Sequence, residues 1–332
     1  MILTVSGKDV KSVFSDIAPL IKKSEMSSSI TIGYFDGKMY VTADAGMRYQ
    51  CDIDVTSVID PVETALTVWF EDISQFIGSR ETVEVTIKEV SVSFATEGFS
   101  TSLTESGAII PRFEVSKLPQ KNIIFNTLQY AVQKMAATNT LSKSLQVTKP
   151  IIFDGDSAYI KYSTVWIKCV SSGLNSIISI DDAKTILSFE PKTVAIGNML
   201  EFHRDNAVLA VPNNPSNHES EFDAVVSSMQ TVTSFDAEGI FGVVQKLYRV
   251  IGNAESKVYI FDKGIEVEVK TPTSHISKKI KVEGDYKMSC SLPLEYLMMC
   301  FNILGADIIT VKKKEGLLCL SNSQLTILIS VV

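Results

Sequence analysis

The sequence has few of the residues on which catalysis, metal binding and disulfide cross-linking depend. Its 332 residues include only three histidines and five cysteines, and no two cysteines have the Cys-x-x-Cys spacing. It has no glycine-rich phosphate loop, no His-Glu-x-x-His and no Gly-x-Ser-x-Gly. The sequence therefore predicts a protein that is not an enzyme, with no metal, no cofactor and reduced, buried thiols.

Long apolar runs are also missing. The longest ones, such as residues 327–329, are far too short to cross a bilayer, and the first five residues lack the basic leader of a signal peptide. Hydrophobic residues make up 45% of the chain and charged residues 21%, which is the composition of an ordinary soluble globular protein. We expect a cytoplasmic protein without a membrane partner.

Charge is unevenly distributed along the chain. The net charge is −7, yet residues 7–23, 126–149 and 239–257 together carry an excess of positive charge. One basic surface on an acidic protein would suit a polyanion such as DNA. The candidate phosphate-binding residues are Lys8, Lys11, Lys22, Lys23, Lys134, Lys143, Lys149, Lys246 and Arg249. The alternative is that these side chains only solvate exposed helix faces.

One pattern of secondary structure recurs three times. A strand-like segment with a tyrosine near its start appears at Tyr40-Val41, Tyr159-Ile160 and Tyr259-Ile260. Helix-like stretches precede these segments over 9–21, 127–137 and 238–251, and others follow over 68–77, 181–187 and 294–304. A strand pair then closes each copy. Repetition in fixed order predicts one architecture used three times, as in proteins built as arcs, rings or stacks.

Turn and linker signals set the limits of the copies. The segments 35–38, 154–156 and 261–264 contain Asp and Gly between apolar strands, which predicts a hairpin turn in each copy. Linkers are expected near residues 107–120 and 212–222, where proline and small polar residues gather. The predicted repeats are residues 1–119, 120–221 and 222–332.

The repeat order and three local segments resemble the sliding clamps, the DNA polymerase processivity factors of bacteria and some phages. The segments are 41–46, 293–297 continuing through 307–311, and the closing strand 325–329. The resemblance implies an α+β DNA clamp fold, in which two chains join head to tail into a ring with helices inside and sheets outside. It implies sequence-independent binding of duplex DNA, with a polymerase and a clamp loader as partners, in a bacterial or phage-infected cytoplasm.

The resemblance also implies a pocket for an apolar peptide of client proteins. By position it would be lined by Tyr162, Thr164, Ile167, Ile327, Ile329 and Val331. Alternation in the last strand predicts that Ile327, Ile329 and Val331 share an exposed apolar face, with Leu328 turned to the core. The alternative for this strand is that both of its faces are buried.

Two other functions stay open on the sequence alone. One is a monomeric DNA-binding processivity factor with the same fold, and the other is a β-rich structural protein whose repeats are coincidental. Basic helices on a common face would separate the first from the second, and the mass in solution would separate a monomer from a ring.

Overall fold

The computed structural model describes residues 1–23, 29–138, 149–162, 164–215 and 221–331. These residues form six α-helices: α1 Gly7–Lys23, α2 Phe125–Ala136, α3 Ile180–Phe189, α4 Glu221–Ser227, α5 Ile240–Ile251 and α6 Leu294–Leu304. A 3₁₀ helix spans Ser74–Phe76. Within this part of the chain, no helix is long and apolar enough to cross a membrane.

Twenty strands account for most of the remaining structure. The first nine are β1 Ile2–Ser6, β2 Ser29–Phe35, β3 Lys38–Asp44, β4 Arg48–Ile59, β5 Thr64–Trp69, β6 Thr82–Ile87, β7 Ser91–Ala95, β8 Ser100–Thr104 and β9 Gln120–Asn122. The next six are β10 Ile151–Lys161, β11 Val165–Ile178, β12 Thr193–Ile196, β13 Met199–Arg204, β14 Ala207–Pro212 and β15 Gln230–Asp236. The last five are β16 Glu255–Thr271, β17 Ser274–Pro293, β18 Ile308–Lys314, β19 Leu317–Ser321 and β20 Leu325–Ser330.

The first of two compact units comprises residues 1–125 and 184–213. Its twelve-stranded sheet runs in the order β8-β7-β6-β1-β4-β14-β13-β12-β9, with β3, β2 and β5 branching from β4. Helix α1 covers this core because its apolar side chains recur at helical spacing. Val10, Phe14 and Ile17 have no exposed surface, and Ile21 is buried as well.

The second unit comprises residues 126–183 and 214–332. It contains a six-stranded sheet, β10-β11-β20-β19-β18-β15, and a separate long hairpin of β16 and β17. Helices α5 and α6 pack against each other. Helix α6 is apolar on almost every side and nearly all of it is buried, as expected for a helix enclosed by its own unit.

Five of the six predicted helices are present, and the prediction for residues 68–77 is wrong. That segment begins in β5, which contains the β-branched residues Thr64, Thr67 and Val68 and pairs with β2 along Thr64–Trp69. It ends in the short 3₁₀ helix, whose Ser74 N–H donates to Asp72 Oδ1 at 3.1 Å. Helix α3 is capped by Ser179, because the Asp182 N–H donates to Ser179 Oγ at 3.0 Å.

The three Asp-Gly segments do not all make hairpin turns. The first does, since β2 and β3 pair from Ile30 with Ala43 to Phe35 with Lys38. In the second, β10 runs on past Gly155 with a register shift against β11, and in the third, β16 shifts register up to Ile265. These two predictions are corrected to β-bulges. Gly37, Gly155 and Gly264 all have positive φ, so the local backbone conformation recurs although the pairing differs.

A strand pairing between one predicted repeat and the next occurs twice in the same form. In the first unit, β4 pairs antiparallel with β14, for example Cys51 with Ala207. In the second unit, β11 pairs antiparallel with β20, for example Cys169 with Leu325. In both cases, the strand after the tyrosine-led segment of one predicted repeat takes the last strand of the next predicted repeat as its neighbour.

Candidate nucleic-acid interface and partner surface

Helix α1 presents a polar face with two exposed lysines. Lys8 and Lys22 are exposed and Lys11 is half-buried, while the opposite side of the helix lies in the core. The exposed Ser15 lies between Lys8 and Lys22 on this face, because the three are separated by whole turns. Lys23 ends the helix, but its side chain is outside the described part of the structure. Two of the four lysines predicted here are therefore free at the surface.

Helix α2 offers less positive charge than the sequence predicts. The Lys134 ammonium is half-buried and donates to the carbonyl oxygen of Ile303, in the last turn of α6. A cation at the C-terminal end of a helix is stabilised there, so Lys134 has a structural partner. Lys149 is half-buried, and Lys143 lies outside the described residues.

Helix α5 carries the third basic surface. Lys246 and Arg249 are exposed, and Val250 beside them has 79% of its surface accessible. Only Ile240 and Val244 of this helix are buried, whereas Phe241 and Leu247 are half-exposed. An apolar helix that its own unit covers so incompletely is typical of a contact with another surface.

The predicted peptide pocket lies mostly in the core. Ile167, Ile327 and Ile329 have no exposed surface, and the paired strands β11 and β20 place Ile167 directly opposite Ile327. The exposed apolar face expected at the end of the chain is therefore wrong. Both faces of β20 are covered, since Leu328 on the other face is only 6% exposed.

The other members of the predicted pocket are held by hydrogen bonds. Tyr162 is buried, and its hydroxyl lies 3.0 Å from Thr138 Oγ1. Burial raises the pKa of Tyr162, and the hydrogen bond with Thr138 partly offsets this. Thr164 Oγ1 donates to the Tyr296 hydroxyl at 3.1 Å, and the Val331 N–H donates to the Gly316 carbonyl at 3.0 Å.

The opposite face of these strands has an aromatic surface that the sequence analysis did not identify. We name it the Phe222 cluster: buried Tyr159, Phe222, Met229, Cys319 and Leu328, with half-exposed Ile152, Trp166, Val225, Val226 and Leu317 packed against them. Alternation along β11 puts Trp166 and Lys168 on one face and Ile167 on the other. The sequence therefore shows that Trp166 and Lys168 share a face. The sequence does not say which face is covered.

Helix α4 places its aromatic side chain at the centre of this cluster. The Phe222 ring meets Trp166 at 5.1 Å between ring centroids and Tyr159 at 6.0 Å, both edge to face. Beside it, Lys168 Nζ lies 2.7 Å from both carboxylate oxygens of Asp223. Burial has the largest single effect on the pKa of Lys168 and lowers it, but the hydrogen bonds and charges of Asp223 and Tyr159 together outweigh burial, so the pKa is raised.

The first unit contains a polar cleft of about 260 Å³ beside α1. Asp16 lies in it, accepts a hydrogen bond from the Tyr49 hydroxyl at 3.1 Å and forms an ion pair with Arg204. The adjoining Cys51 is one of five buried, free thiols, and burial raises its pKa to about 12. Among the described residues, no group of three or more acidic, His or Cys side chains could hold a metal.

The repeated strand pairings, β4 with β14 and β11 with β20, together with the helices that accompany each sheet, define a repeated α+β fold of the DNA clamp class. More particularly, the chain has the fold of the bacterial DNA polymerase sliding clamps. No family model matches the sequence, and no curated protein matches it. The sequence therefore resembles those of the sliding clamps in its pattern of helices and strands and not in the identity of its residues.

Three solved structures illustrate the match over the full chain. The Bacillus subtilis sliding clamp is 12% identical, with a TM-score of 0.75, and the match covers 100% of this chain and 99% of that one. The Helicobacter pylori β clamp bound to a DNA ligase peptide is 14% identical, with a TM-score of 0.75 and complete coverage of both chains. The β subunit of Pseudomonas aeruginosa DNA polymerase III is 9% identical, with a TM-score of 0.78 and complete coverage of both.

Proposed function

We propose that this protein is a sliding clamp: two chains close into a ring around duplex DNA and tether the replicative polymerase. The observation that carries the proposal is the strand pairing between neighbouring repeats, which occurs twice within the chain. One further strand in the first repeat and one in the third could make the same pairing with a second chain. In this proposal the repeats are residues 1–119, 120–221 and 222–332, and the protein catalyses no reaction. It works in a bacterial or phage-infected cytoplasm, where a clamp loader opens it.

The two further strands are β8 and β17. Strand β8 is the last strand of the first repeat and lies at the end of its sheet, next to β7, whereas the corresponding last strands β14 and β20 also pair with β4 and β11. In the third repeat, β17 pairs along one edge with β16. An unpaired strand edge invites another strand. A heterologous contact repeated with a closing rotation makes a ring.

Side chains near the two edges complement each other. On β17, Lys278 and Lys279 are exposed, whereas Glu97 and Glu105 flank β8. Opposite charges fix the register of such a contact.

Apolar surface is available on both sides of the same contact. Phe76 and Phe99 stack at 5.1 Å just before β8, and Phe76 is 54% exposed. The incompletely covered α5 would supply apolar surface on the other side. Burial of apolar area would provide most of the free energy of association.

Contact with DNA would be made through phosphates. Lys8, Lys22, Lys246 and Arg249 are exposed on the first helices of two repeats and can neutralise phosphate charge without reading bases. Contacts that do not depend on sequence leave the ring free to slide. Lys134 contributes only if it leaves the Ile303 carbonyl, so we do not assign it a phosphate.

Client proteins would bind at the Phe222 cluster and not at the core residues Ile167, Ile327 and Ile329. The cluster has half-exposed apolar side chains on the three strands β10, β11 and β19 and on α4, together with the cation Lys168. Apolar anchors beside a charge are the usual composition of a peptide-binding surface.

Retention on closed DNA tests the ring. The protein, loaded on nicked circular DNA by its cognate loader, should remain bound in high salt and should be released when a restriction enzyme linearises the circle. A ring held by topology slides off a free end, whereas a protein held by ionic contacts dissociates in high salt from either form. Equal retention on circular and linear DNA, together with a monomeric mass, would replace the ring by a monomeric DNA-binding factor.

A further inference from the structure

Helix α4 occupies the surface on which the proposed function places client proteins. Phe222 is only 1% exposed and is enclosed by Tyr159, Trp166 and Leu328. The neighbouring Asp223 neutralises Lys168, whose side chain is 24% exposed. The Phe222 ring thus covers the apolar part of this surface, and the Asp223 carboxylate balances its charge.

The attachment of α4 is confined to few contacts. The helix has seven residues, well below the length at which a helix is stable by itself. Phe222 is its single buried residue, and Val225 and Val226 are half-exposed. The chain is held again just after the helix, where Met229 is buried in the same cluster. Release of residues 221–227 would thus expose the surface without disturbing β15, which begins at Gln230.

We infer that α4 is an internal ligand of the Phe222 cluster, and that the natural partner is a peptide segment with an aromatic residue followed directly by an acidic one, which replaces Phe222 and Asp223. This inference rests on the proposed function, because it supplies the chemistry of the client and the competition that regulates its binding.

The aromatic walls explain why an aromatic anchor is required. Trp166 and Tyr159 both contact Phe222 edge to face, and such pairs contribute beyond the apolar area they bury. An aliphatic anchor would leave part of this site unfilled. The acidic neighbour is required because a ligand without it would leave the half-buried Lys168 ammonium with no carboxylate to balance its charge.

The first test uses the full chain and a fluorescent peptide with the sequence of residues 221–227, Glu-Phe-Asp-Ala-Val-Val-Ser. In the native chain, α4 competes with the peptide, so the apparent affinity is reduced by the fraction of molecules in which the surface is free. The Phe222→Ala chain should bind the peptide about tenfold more tightly or better. Equal affinity of the two chains, with an unchanged circular dichroism spectrum, would overturn the proposal.

The second test exchanges the charges in a chain whose surface is already free of the aromatic ring, so the Lys168→Asp chain used here also carries Phe222→Ala. The Lys168→Asp chain should prefer the peptide carrying Asp223→Lys over the unmodified peptide, reversing the preference of the Phe222→Ala chain. A peptide carrying Glu221→Lys is the matched control, because Glu221 is exposed on the same helix, and it should not reverse any preference. Failure of the reversal would contradict the pairing of the acidic residue with Lys168.

These experiments contain neither DNA nor polymerase, so their outcome is separate from that of the proposed ring. Peptide binding with no retention on circular DNA would contradict the clamp and leave the internal ligand supported. Retention on circular DNA with no gain of peptide binding in the Phe222→Ala chain would support the clamp and remove the internal ligand.

Discussion

Arg204 on β13 forms a buried ion pair with Asp16 on α1, which ties the second predicted repeat to the first within one unit. The side chains are 18% and 8% exposed. The guanidinium also donates to the Phe189 carbonyl at 2.7 Å and lies 4.7 Å above the Phe189 ring. Because both charges are removed from water, each depends on the other.

Removal of either partner should be costly. We expect Asp16→Ala to lower the free energy of unfolding by about 3 kcal/mol, since it leaves the Arg204 charge buried and unpaired. The matched control is Asp54→Ala, which removes an exposed pair with Lys38 and should change stability by less than about 0.5 kcal/mol. Urea unfolding of the variants measures both values, and equal effects would contradict the role of burial.

The same carboxyl should make stability depend on pH. Burial raises the pKa of Asp16 above its ordinary value of 3.8, and Arg204 and Tyr49 only partly oppose it. The folded chain therefore holds this proton more tightly than the unfolded chain, so the stabilisation is complete at low pH and is lost as the pH rises through the folded pKa. Asp16→Asn cannot titrate, so its stability relative to the native chain should improve as the pH rises from 3.8. Urea unfolding at a series of pH values measures this, and a pH-independent difference would contradict the raised pKa.

Reversing charge on α1 should weaken binding to DNA. We expect Lys8→Glu with Lys22→Glu to reduce the slope of log affinity against log salt by about one for each phosphate that is no longer neutralised. Lys88→Glu with Lys121→Glu is the matched control, since it makes the same change in net charge at exposed strand and turn positions. Fluorescence anisotropy at several salt concentrations gives the slopes. Equal effects of the two pairs would mean that only net charge matters.

A charge on the exposed side of α5 should prevent assembly. Val250 is 79% exposed in the chain, so Val250→Asp costs the folded monomer little but places a carboxylate in the proposed apolar contact. Sedimentation should then give the chain mass of 36.5 kDa, against twice that mass for the native protein. Ile109→Asp, at a site that is 90% exposed, should leave the dimer intact. A dimer that survives Val250→Asp would exclude α5 from the interface.

Arg112 should hold the linker after the first repeat to its sheet. It donates to both Asp52 oxygens at 2.8 and 2.9 Å, and its guanidinium lies 4.7 Å above the Tyr40 ring. We expect Arg112→Ala to lower stability by about 2 kcal/mol, and Arg112→Lys to recover only part of it, because an ammonium can approach the Asp52 carboxylate but lacks the flat guanidinium that lies over the Tyr40 ring. Arg48→Ala, at an exposed pair with Asp44, is the control and should cost under about 0.5 kcal/mol in the same urea titration. Full recovery by Arg112→Lys would show that charge alone holds the linker.

Local pattern was sufficient for most of the secondary structure. The apolar positions of α1 and α5 repeat at helical spacing, and apolar and polar residues alternate in strands such as β6. The secondary structure of each segment can therefore be predicted from its own residues. A helix was predicted for residues 68–77 because local spacing did not separate a helix from a strand there. Pairing of β5 with β2 makes the start of this segment a strand. The turns predicted at Gly155 and Gly264 were wrong because positive φ serves a bulge as well as a hairpin.

By itself the sequence thus determined the repeated α+β pattern and the basic first helices, since periodicity and charge are properties of neighbouring residues. Tertiary structure alone decided which face of β11 and β20 is core, since alternation defines two faces but not what covers them. It also decided that Lys134 caps α6 and that Phe222 fills the surface beside Trp166. Such contacts join residues far apart in the chain, where no local rule specifies a partner.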